Sequence, residues 1–412
     1  MKTKGKLKVG WVVFLLTFCT ASTTIARAQA DPLVLSGDGS TFAYPMYSKW
    51  IEEYQKENPA VHLTYVSNGS GAGIHDIILG RVDFAGTDGP LNKVQMLDFS
   101  THRNCEILHF PTAIGADVPN HNIPGVTREL NFTPQALAGI YLGAISKWND
   151  PAIAKANPNV PLPADNIVVA RRQDGSGTTY IWTDYLTKVS SDWHARVGTG
   201  ISVIWPVGVS AKGNQGVVET VANTPYAIGY SELSYVVRNR LTYGSVLNRS
   251  GHFIKADLAS LTTAAADFAD HIPADFRVSI TDAPGQGAYP ISSFTWMLVP
   301  SVITDSSKRT AIIHFLEWGL TKGQDYLEPL SYAPLPNAVI TREQKALANI
   351  KLSSTTEANE LKVKGFDTDS ASTLRPGRTA LNQHSSRLLI ELSSHRERKS
   401  KPGFARLRVA YN

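Results

Sequence analysis

The stretch Val169-Ala-Arg-Arg-Gln-Asp-Gly-Ser-Gly-Thr-Thr-Tyr180 places a guanidinium, a carboxylate and several hydroxyls between two apolar segments. The segment Ile167–Ala170 predicts a strand, and the apolar spacing from Thr178 onward predicts a helix. The first N–H groups of a helix have no partner within the helix, so together with a nearby arginine they form a site for an oxyanion. The stretch therefore predicts both a strand–turn–helix unit and a binding site at its turn.

The same order of strand, glycine-containing turn and helix recurs along the chain. Further strands are expected at Leu33–Leu35, Val61–Val66, Val82–Ala85 and Ile291–Val299. Helices are expected after Pro45, with Tyr47, Trp50, Ile51 and Tyr54 on one face, and over residues 308–320. This alternation predicts an α/β protein with largely parallel sheets.

The charge of the chain is concentrated at its two ends. The 412 residues carry a formal net charge of +5, with 42% hydrophobic and 18% charged residues, as in folded soluble proteins. Residues 31–354, however, contain 24 basic and 29 acidic residues. A mildly acidic body of this kind lacks the basic surface of a nucleic-acid-binding protein.

The first 30 residues have the pattern of an export signal. Four lysines precede the apolar run Trp11–Phe18, which is too short to span a bilayer, and Ala28-Gln-Ala30 matches a cleavage site. We expect cleavage after Ala30 and a soluble exported product. Cys19 could instead carry a lipid anchor, but the bulky Phe18 before it disfavours that processing. After cleavage at Ala30, Cys105 would be the one remaining cysteine, so the fold cannot contain an internal disulfide.

Three turns of small residues each precede a predicted helix. They are Gly39-Ser-Thr-Phe42, Asn68-Gly-Ser-Gly71 and Asp174-Gly-Ser-Gly-Thr178. Glycine lets backbone N–H groups approach an anion, and the hydroxyls of Thr41, Ser70, Ser176 and Thr178 could add donors. Each turn alone is more commonly just a helix cap. Three such turns with an arginine in one exported α/β chain favour an anion-binding site.

Asp88 lies in the loop Gly86-Thr-Asp-Gly-Pro90, where the ordinary interpretation is turn chemistry. A carboxylate suits an anion site only if the anion carries a proton to donate to it. Phosphate near neutral pH keeps at least one hydroxyl, whereas sulfate has none. A site built around such a hydroxyl can reject an analogue that lacks it by roughly 10⁴–10⁵. Asp88 therefore favours phosphate over sulfate.

These motifs together resemble the periplasmic phosphate-binding protein of the bacterial phosphate-specific ABC transporter. The resemblance covers roughly residues 31–350, in the family's order. It is carried by Gly39–Phe42, Gly69-Ser70, Val82–Asp88 and Arg171–Thr178, with support from Ile140–Trp148, Ala227–Tyr230 and Tyr332–Pro336.

The resemblance implies a two-lobed periplasmic binding protein of type II, a Venus-flytrap fold with two hinge crossings. It implies a discontinuous lobe I at 31–112 and 288–354 and a lobe II at 113–287. The residue pattern itself adds a signal peptide at 1–30 and a basic tail at 355–412, which has no counterpart in the family. We expect the tail to be disordered because it combines many charged and small polar residues with little periodicity.

The resemblance also implies a role for each site residue. Thr41 and the backbone N–H of Phe42 would be donors, Ser70 would donate by hydroxyl and backbone, and Asp88 would accept the phosphate proton. Arg172 would be the charged donor, and Ser176, Gly177 and Thr178 would donate at the helix start. Asp174 would pair with Arg172, and its ordinary role would be to cap the helix; the two roles are compatible. Asp38 departs from this pattern as an extra carboxylate near the first turn, and we expect it to point outward.

The implied function is delivery of inorganic phosphate to the permease and ATPase subunits of a transporter by a monomer. Two alternatives remain: a receptor for another tetrahedral oxyanion such as sulfate, and a secreted phosphatase. No G-x-S-x-G nucleophile motif, zinc-binding histidine pair or carboxylate cluster supports an enzyme, so neither catalysis nor a metal or other cofactor is expected.

Overall fold

The computed structural model describes residues 32–353. The predicted signal peptide at 1–30 and the predicted disordered tail at 355–412 lie outside the described residues. Both therefore stay predictions.

The strands form one large curled sheet and two small ones. In chain order they are β1 (Leu33–Gly39), β2 (Val61–Val66), β3 (Phe84–Thr87), β4 (Ile107–Asn122), β5 (Asn131–Phe132), β6 (Val168–Arg172), β7 (Val209–Ala211), β8 (Ala227–Glu232), β9 (Thr242–Tyr243), β10 (Ser245–Leu247), β11 (Phe253–Ile254), β12 (Ser292–Pro300), β13 (Val302–Ile303) and β14 (Lys351–Leu352). The large sheet has the order β2-β1-β3-β12-β4-β8-β6-β7, and β9 pairs with β4. Strands β11-β10-β5 and β13-β14 form the small sheets.

Helices pack on both faces of the large sheet. They are α1 (Tyr44–Glu57), α2 (Ser70–Ile78), α3 (Lys93–Arg103), α4 (Pro134–Leu142), α5 (Pro151–Ala154), α6 (Gly177–Val189), α7 (Ser191–Arg196), α8 (Gly213–Asn223), α9 (Leu233–Arg238), α10 (Leu258–Ala266), α11 (Ser306–Leu320) and α12 (Asn337–Ala346). Short 3-10 helices lie at Ala269–His271, Lys322–Tyr326, Glu328–Leu330 and Leu347–Asn349. Between residues 32 and 353, none of the helices combines the length and the hydropathy that crossing a lipid bilayer demands.

Local sequence explains the elements that were predicted. In α1, proline stands in the first turn, and the predicted apolar face of Tyr47, Trp50, Ile51 and Tyr54 is buried. The decisive stretch forms β6 and α6, with the turn between them at Gln173–Ser176. The helix begins there because the Ser176 hydroxyl accepts the backbone N–H of Thr179, which is the geometry of an N-cap.

The large sheet is parallel only at its two flanks, so the prediction of largely parallel sheets is wrong for its centre. Strand β1 is parallel to β2 and β3, and β6 is parallel to β7 and β8. Strand β12 is antiparallel to both β3 and β4. Neighbouring parallel strands need a crossover connection, usually a helix, between them. Strand β12 instead returns from the far half of the molecule, so it runs in the opposite direction.

Strand β4 extends through both halves of the sheet. We call β2, β1, β3 and β12 the first half, and β8, β6 and β7 the second half. Over Ile107–Ala116, β4 pairs with β12, and over Asp117–Asn122 it pairs with β8.

The carboxyl ends of the parallel strands converge where the halves meet. Thr41 follows β1 and Asp88 follows β3 in the first half, while Asp174 follows β6 and Gly213 follows β7 in the second half. Open α/β sheets bind ligands at these strand ends.

Candidate anion-binding site

A single buried carboxylate lies at the centre of the convergent turns. Asp88 is only 1% exposed. Its Oδ1 accepts the Ser40 hydroxyl at 2.7 Å and the Thr295 hydroxyl at 2.7 Å, and its Oδ2 accepts Ser40 at 2.6 Å and Ser70 at 3.5 Å. Hydroxyl donors from three separate segments of the first half therefore fix this carboxylate.

The buried environment of Asp88 moves the pKa of its carboxyl group toward neutral pH. Burial raises the pKa of Asp88 to about 6, although the hydrogen bonds from Ser40, Thr295 and Ser70 and the charge of Arg172 act against that rise. The group is therefore largely ionised at pH 7, and it can accept one more proton-bearing ligand atom. A fully deprotonated anion would instead meet an uncompensated negative charge.

The guanidinium of Arg172 is oriented from the second half of the sheet. The residue is 2% exposed. Its Nε donates to Asp174 Oδ1 at 3.0 Å, its Nη2 donates to Asp174 Oδ2, and its Nη1 donates to the Thr178 hydroxyl at 3.1 Å. This bidentate pair holds the planar guanidinium in one orientation. It also reduces the net positive charge that Arg172 brings to the site.

Asp174 pairs with Arg172, as the sequence predicted, but it does not cap the helix. Ser176 is the N-cap of α6. Asp174 instead accepts the backbone N–H of Gly213 at 2.9 Å, which ties the β6–α6 turn to the start of α8. Burial alone would raise the pKa of Asp174, but the pairing with Arg172 and the Gly213 N–H hold it below its usual value.

Buried backbone donors surround the same space. The N–H groups of Thr41, Phe42, Ser70 and Thr178 make no hydrogen bond with any other residue between 32 and 353. These four residues are at most 6% exposed. Buried N–H groups are almost always paired in folded proteins, so several unpaired ones at adjoining turns indicate a ligand site.

The two halves touch across the site. The N–H of Gly71 donates to the carbonyl of Gly175 at 2.9 Å, and the N–H of Gly177 donates to the Ser70 hydroxyl at 3.1 Å. These bonds join α2 of the first half to the β6–α6 turn of the second half. The turns of both halves are therefore in direct contact, which corresponds to a closed form.

Comparison with known proteins identifies the family. A family model described as a PBP superfamily domain matches residues 23–321. The phosphate-binding protein PstS of Pasteurella multocida is 38% identical over 324 residues, covering 78% of this chain and 92% of that protein. The PstS of Haemophilus influenzae is 37% identical over 319 residues, covering 77% and 93%. The chain belongs to the PstS family of phosphate-binding proteins.

Solved structures agree on the fold of this phosphate-binding protein. A periplasmic phosphate-binding protein called PfluDING matches with a TM-score of 0.63 and 17% identity, covering 76% of this chain and 93% of that one. The phosphate-binding protein of Stenotrophomonas maltophilia matches with a TM-score of 0.59 and 16% identity, covering 76% and 93%. The predicted class, the two-lobed α/β fold of periplasmic binding proteins, is confirmed. The two hinge crossings stay a prediction.

All nine predicted site residues come together in the phosphate-binding protein. Thr41 and Phe42 lie at one turn, and Ser70 and Asp88 lie at the next two. The remainder lie from the last residue of β6 to the first turn of α6. The residues of this last group are Arg172, Asp174, Ser176, Gly177 and Thr178. Ser70 and Gly177 differ from the expectation that both donate to the anion. In this structure the Gly177 N–H donates to the Ser70 hydroxyl instead.

Sequence reasoning missed three residues of the site. Ser40 lies inside a quoted turn and donates to Asp88, so its hydroxyl could have been found there. Thr295 and Asn214 gave no comparable signal, because Thr295 lies within a strand and Asn214 follows a single Lys-Gly pair. The Asn214 amide donates to the Thr41 hydroxyl at 2.9 Å and to the Thr178 hydroxyl at 3.0 Å.

Asp38 is buried, but its side chain makes no hydrogen bond with any of the predicted site residues. Asp38 is 5% exposed, and its Oδ2 accepts the side-chain amide of Asn68 at 3.1 Å. Helix α2 covers it closely, since a Cβ at Gly73 would lie 2.6 Å from the Asp38 carbonyl oxygen. Burial raises the pKa of Asp38, opposed by the Asn68 hydrogen bond.

A metal centre has no support within the described part of the chain. Between residues 32 and 353, no three His, Cys, Asp or Glu side chains cluster in a way that could hold a metal ion.

Proposed function

We propose that this protein binds inorganic phosphate between its two lobes and delivers it to the permease of a phosphate ABC transporter. The observation that carries the proposal is Asp88, an ionisable carboxylate buried among unpaired N–H donors and beside Arg172. The donors suit the unprotonated oxygens of phosphate, and the carboxylate suits its hydroxyl. The names of the relatives support the same ligand.

We propose further that residues 31–112 and 288–354 form lobe I and residues 113–287 form lobe II. The change of partner along β4, from β12 to β8 at Asp117, supports a crossing within that strand. Closure then brings Asp88 against the β6–α6 turn. A permease could distinguish this closed form from the empty protein.

The cellular setting is part of the proposal. The segment up to Ala30 directs export, the mature protein acts in the periplasm as a monomer, and its partners are the permease and, through it, the ATPase. The relatives are named as binding proteins, which supports a receptor without catalytic activity. The acidic body of residues 31–354 argues against nucleic acid as a ligand.

Titration calorimetry of the exported protein with phosphate and with sulfate at pH 7 tests the ligand. We expect phosphate to bind with a micromolar or lower Kd, about −8 kcal/mol or better, and sulfate to bind far more weakly. Tighter binding of sulfate would refute the assignment. Steady hydrolysis of a chromogenic phosphate ester with added divalent metal would favour the phosphatase.

A further inference from the structure

Asn214 lies at the start of α8, in contact with both halves of the sheet, and is fully buried. Its Oδ1 accepts the backbone N–H of Glu232 at 3.0 Å. This bond fixes the orientation of the amide, so the NH₂ group faces the proposed phosphate site and the oxygen faces β8.

The NH₂ group of Asn214 has two protons, and both are used. One is donated to the Thr41 hydroxyl at 2.9 Å and the other to the Thr178 hydroxyl at 3.0 Å. The backbone N–H of Asn214 also approaches Thr41 Oγ1, at 3.3 Å. Thr178 Oγ1 accepts a further bond from Arg172 Nη1 at 3.1 Å. Both threonine oxygens are therefore acceptors toward the protein.

A hydroxyl has a single proton, and a hydroxyl that accepts on its protein side keeps that proton for another partner. Neither Thr41 nor Thr178 donates its hydroxyl proton to any residue between 32 and 353. Thr41 belongs to the first half and Thr178 to the second, so one amide sets the direction of donors on both sides of the site.

We propose that Asn214 is a positioning residue that makes Thr41 and Thr178 obligatory donors to the bound anion. The inference rests on the proposed function. Because these hydroxyls can only donate, neither of them can accept the proton of the phosphate hydroxyl. The hydroxyl of phosphate is then left to Asp88, the carboxylate acceptor of the site. Asn214 thereby takes part in selecting the protonation state and the orientation of the ligand.

The substitution Asn214→Asp separates this role from a structural one. The carboxylate keeps an oxygen for the Glu232 N–H, and an acidic residue in the first turn of a helix is favourable. The substitution also replaces the NH₂ donor with an acceptor oxygen. Both threonine hydroxyls would then donate their protons to this oxygen and no longer to the ligand. We expect the Kd for phosphate to rise about 100-fold or more, since hydrogen bonds to a charged group are lost.

Gln215→Glu is the matched control. It adds the same charge at the next position of α8, where the side chain is exposed and its amide donates to Glu219. We expect a change in Kd below about threefold, because an exposed charge is screened. A loss as large as that of Asn214→Asp would mean that charge alone causes the effect, which would overturn the inference.

The pH profile gives a signature that damage to the fold would not produce. A protonated carboxyl group at position 214 can donate again, so the Kd ratio of Asn214→Asp to the unmodified protein should fall as the pH is lowered from 7 toward 5. A ratio independent of pH, or an unchanged Kd at pH 7, would overturn the inference. If Asn214→Asp fails to fold, Asn214→Ala decides: about tenfold weaker phosphate binding is expected, and an unchanged Kd refutes the role. If the unmodified protein does not bind phosphate, it is the proposed function that fails.

Discussion

At the scale of single residues, the proposed selectivity depends on one carboxylate placed where an anion would bind. Burial raises the pKa of Asp88 to about 6, but three hydroxyls and Arg172 keep the ionised form accessible at neutral pH. An ionised carboxylate can only accept hydrogen bonds. It therefore favours a ligand with a hydroxyl and repels one without.

The substitution Asp88→Asn is expected to reduce the preference for phosphate over sulfate at least about tenfold, because the amide can donate to a sulfate oxygen and carries no charge. Calorimetry with both anions at pH 7 measures the ratio. The exposed Asp98 of α3 provides the control, since Asp98→Asn should leave the ratio unchanged. An undiminished preference in Asp88→Asn would remove the carboxylate from the discrimination.

Arg172 and Arg171 are neighbours in β6, but they face opposite sides of the strand. Arg172 is buried beside Asp174 and Thr178, whereas Arg171 makes one weak contact, from Nη1 to the Arg172 carbonyl at 3.3 Å. We expect Arg172→Ala to weaken phosphate binding about tenfold or more, because a charged donor is lost. Arg171→Ala removes the same charge one position away and should have little effect. Equal dissociation constants for the two variants would contradict a direct role for Arg172.

At the scale of secondary structure elements, the start of α6 packs against the first half with no space for a side chain at Gly177. A Cβ at Gly177 would lie 2.6 Å from the Asp88 nitrogen and 2.6 Å from the Ser70 hydroxyl oxygen. The backbone of Gly177 is nevertheless in a conformation that any residue can adopt. The glycine is therefore required by the contact between the two halves. The helix itself would tolerate a side chain at this position.

Gly177→Ala is expected to leave the thermal stability of the ligand-free protein equal or slightly higher, because alanine is the better helix former. Phosphate binding should weaken about tenfold or more, since overpacking costs roughly 1–3 kcal/mol. Calorimetry and thermal melting measure the two effects. Gly216→Ala in α8 is the control, as its Cβ would make only ordinary contacts of 3.6 Å with Ala211. Unimpaired binding by Gly177→Ala would contradict closure at this contact.

The sequence predicted elements whose causes are local. The strand before Arg172 and the helix from Thr178 depend on neighbouring residues, and so does the buried face of α1. The direction of β12 was missed because it depends on a chain that returns from the other half.

The sequence predicted site residues that lie in or beside turns marked by glycine and serine. It did not predict Thr295, which lies within a strand, or Asn214, which lies at the start of α8. Asn214 contributes through contacts with Thr41 and Thr178, which lie 173 and 36 positions away in the sequence. Thr295 reaches Asp88 across 207 positions. Such partners are set by the packing of whole halves, and no short motif encodes them.

At the scale of the whole molecule, the structure buries acidic groups that come from both halves of the sheet. Asp88 comes from the first half, Glu232 ends β8, and Asp117 of β4 lies opposite Glu232 in the sheet. All three are at most 1% exposed. Both carboxyl oxygens of Asp117 have no hydrogen-bond partner among residues 32–353, and burial raises its pKa well above the usual value. Burial therefore favours the protonated, uncharged form of these carboxyl groups where the halves join.

The stability of the ligand-free protein should therefore depend on pH with a definite sign. Burial raises the pKa of Glu232 from 4.5 to about 8, opposed by hydrogen bonds from Ser234. A carboxyl group whose pKa is raised by folding stabilises the fold fully below its unfolded pKa, and this contribution is lost as the pH rises through the folded pKa. Asp88 acts in the same direction between 3.8 and about 6. The free energy of unfolding should fall by a few kcal/mol from pH 5 to pH 8, since one pKa unit corresponds to about 1.4 kcal/mol.

Glu232→Gln should flatten this decline, because the amide has no proton to lose, and urea unfolding at pH 5, 6, 7 and 8 measures the slope. The exposed Glu219 of α8 offers the comparison, since Glu219→Gln should leave the slope as it is. An equal slope in Glu232→Gln and the unmodified protein would show that this carboxyl group is already compensated in the folded state. The loss of stability above pH 6 would then have to come from Asp117, the other carboxyl group of the cross-strand pair.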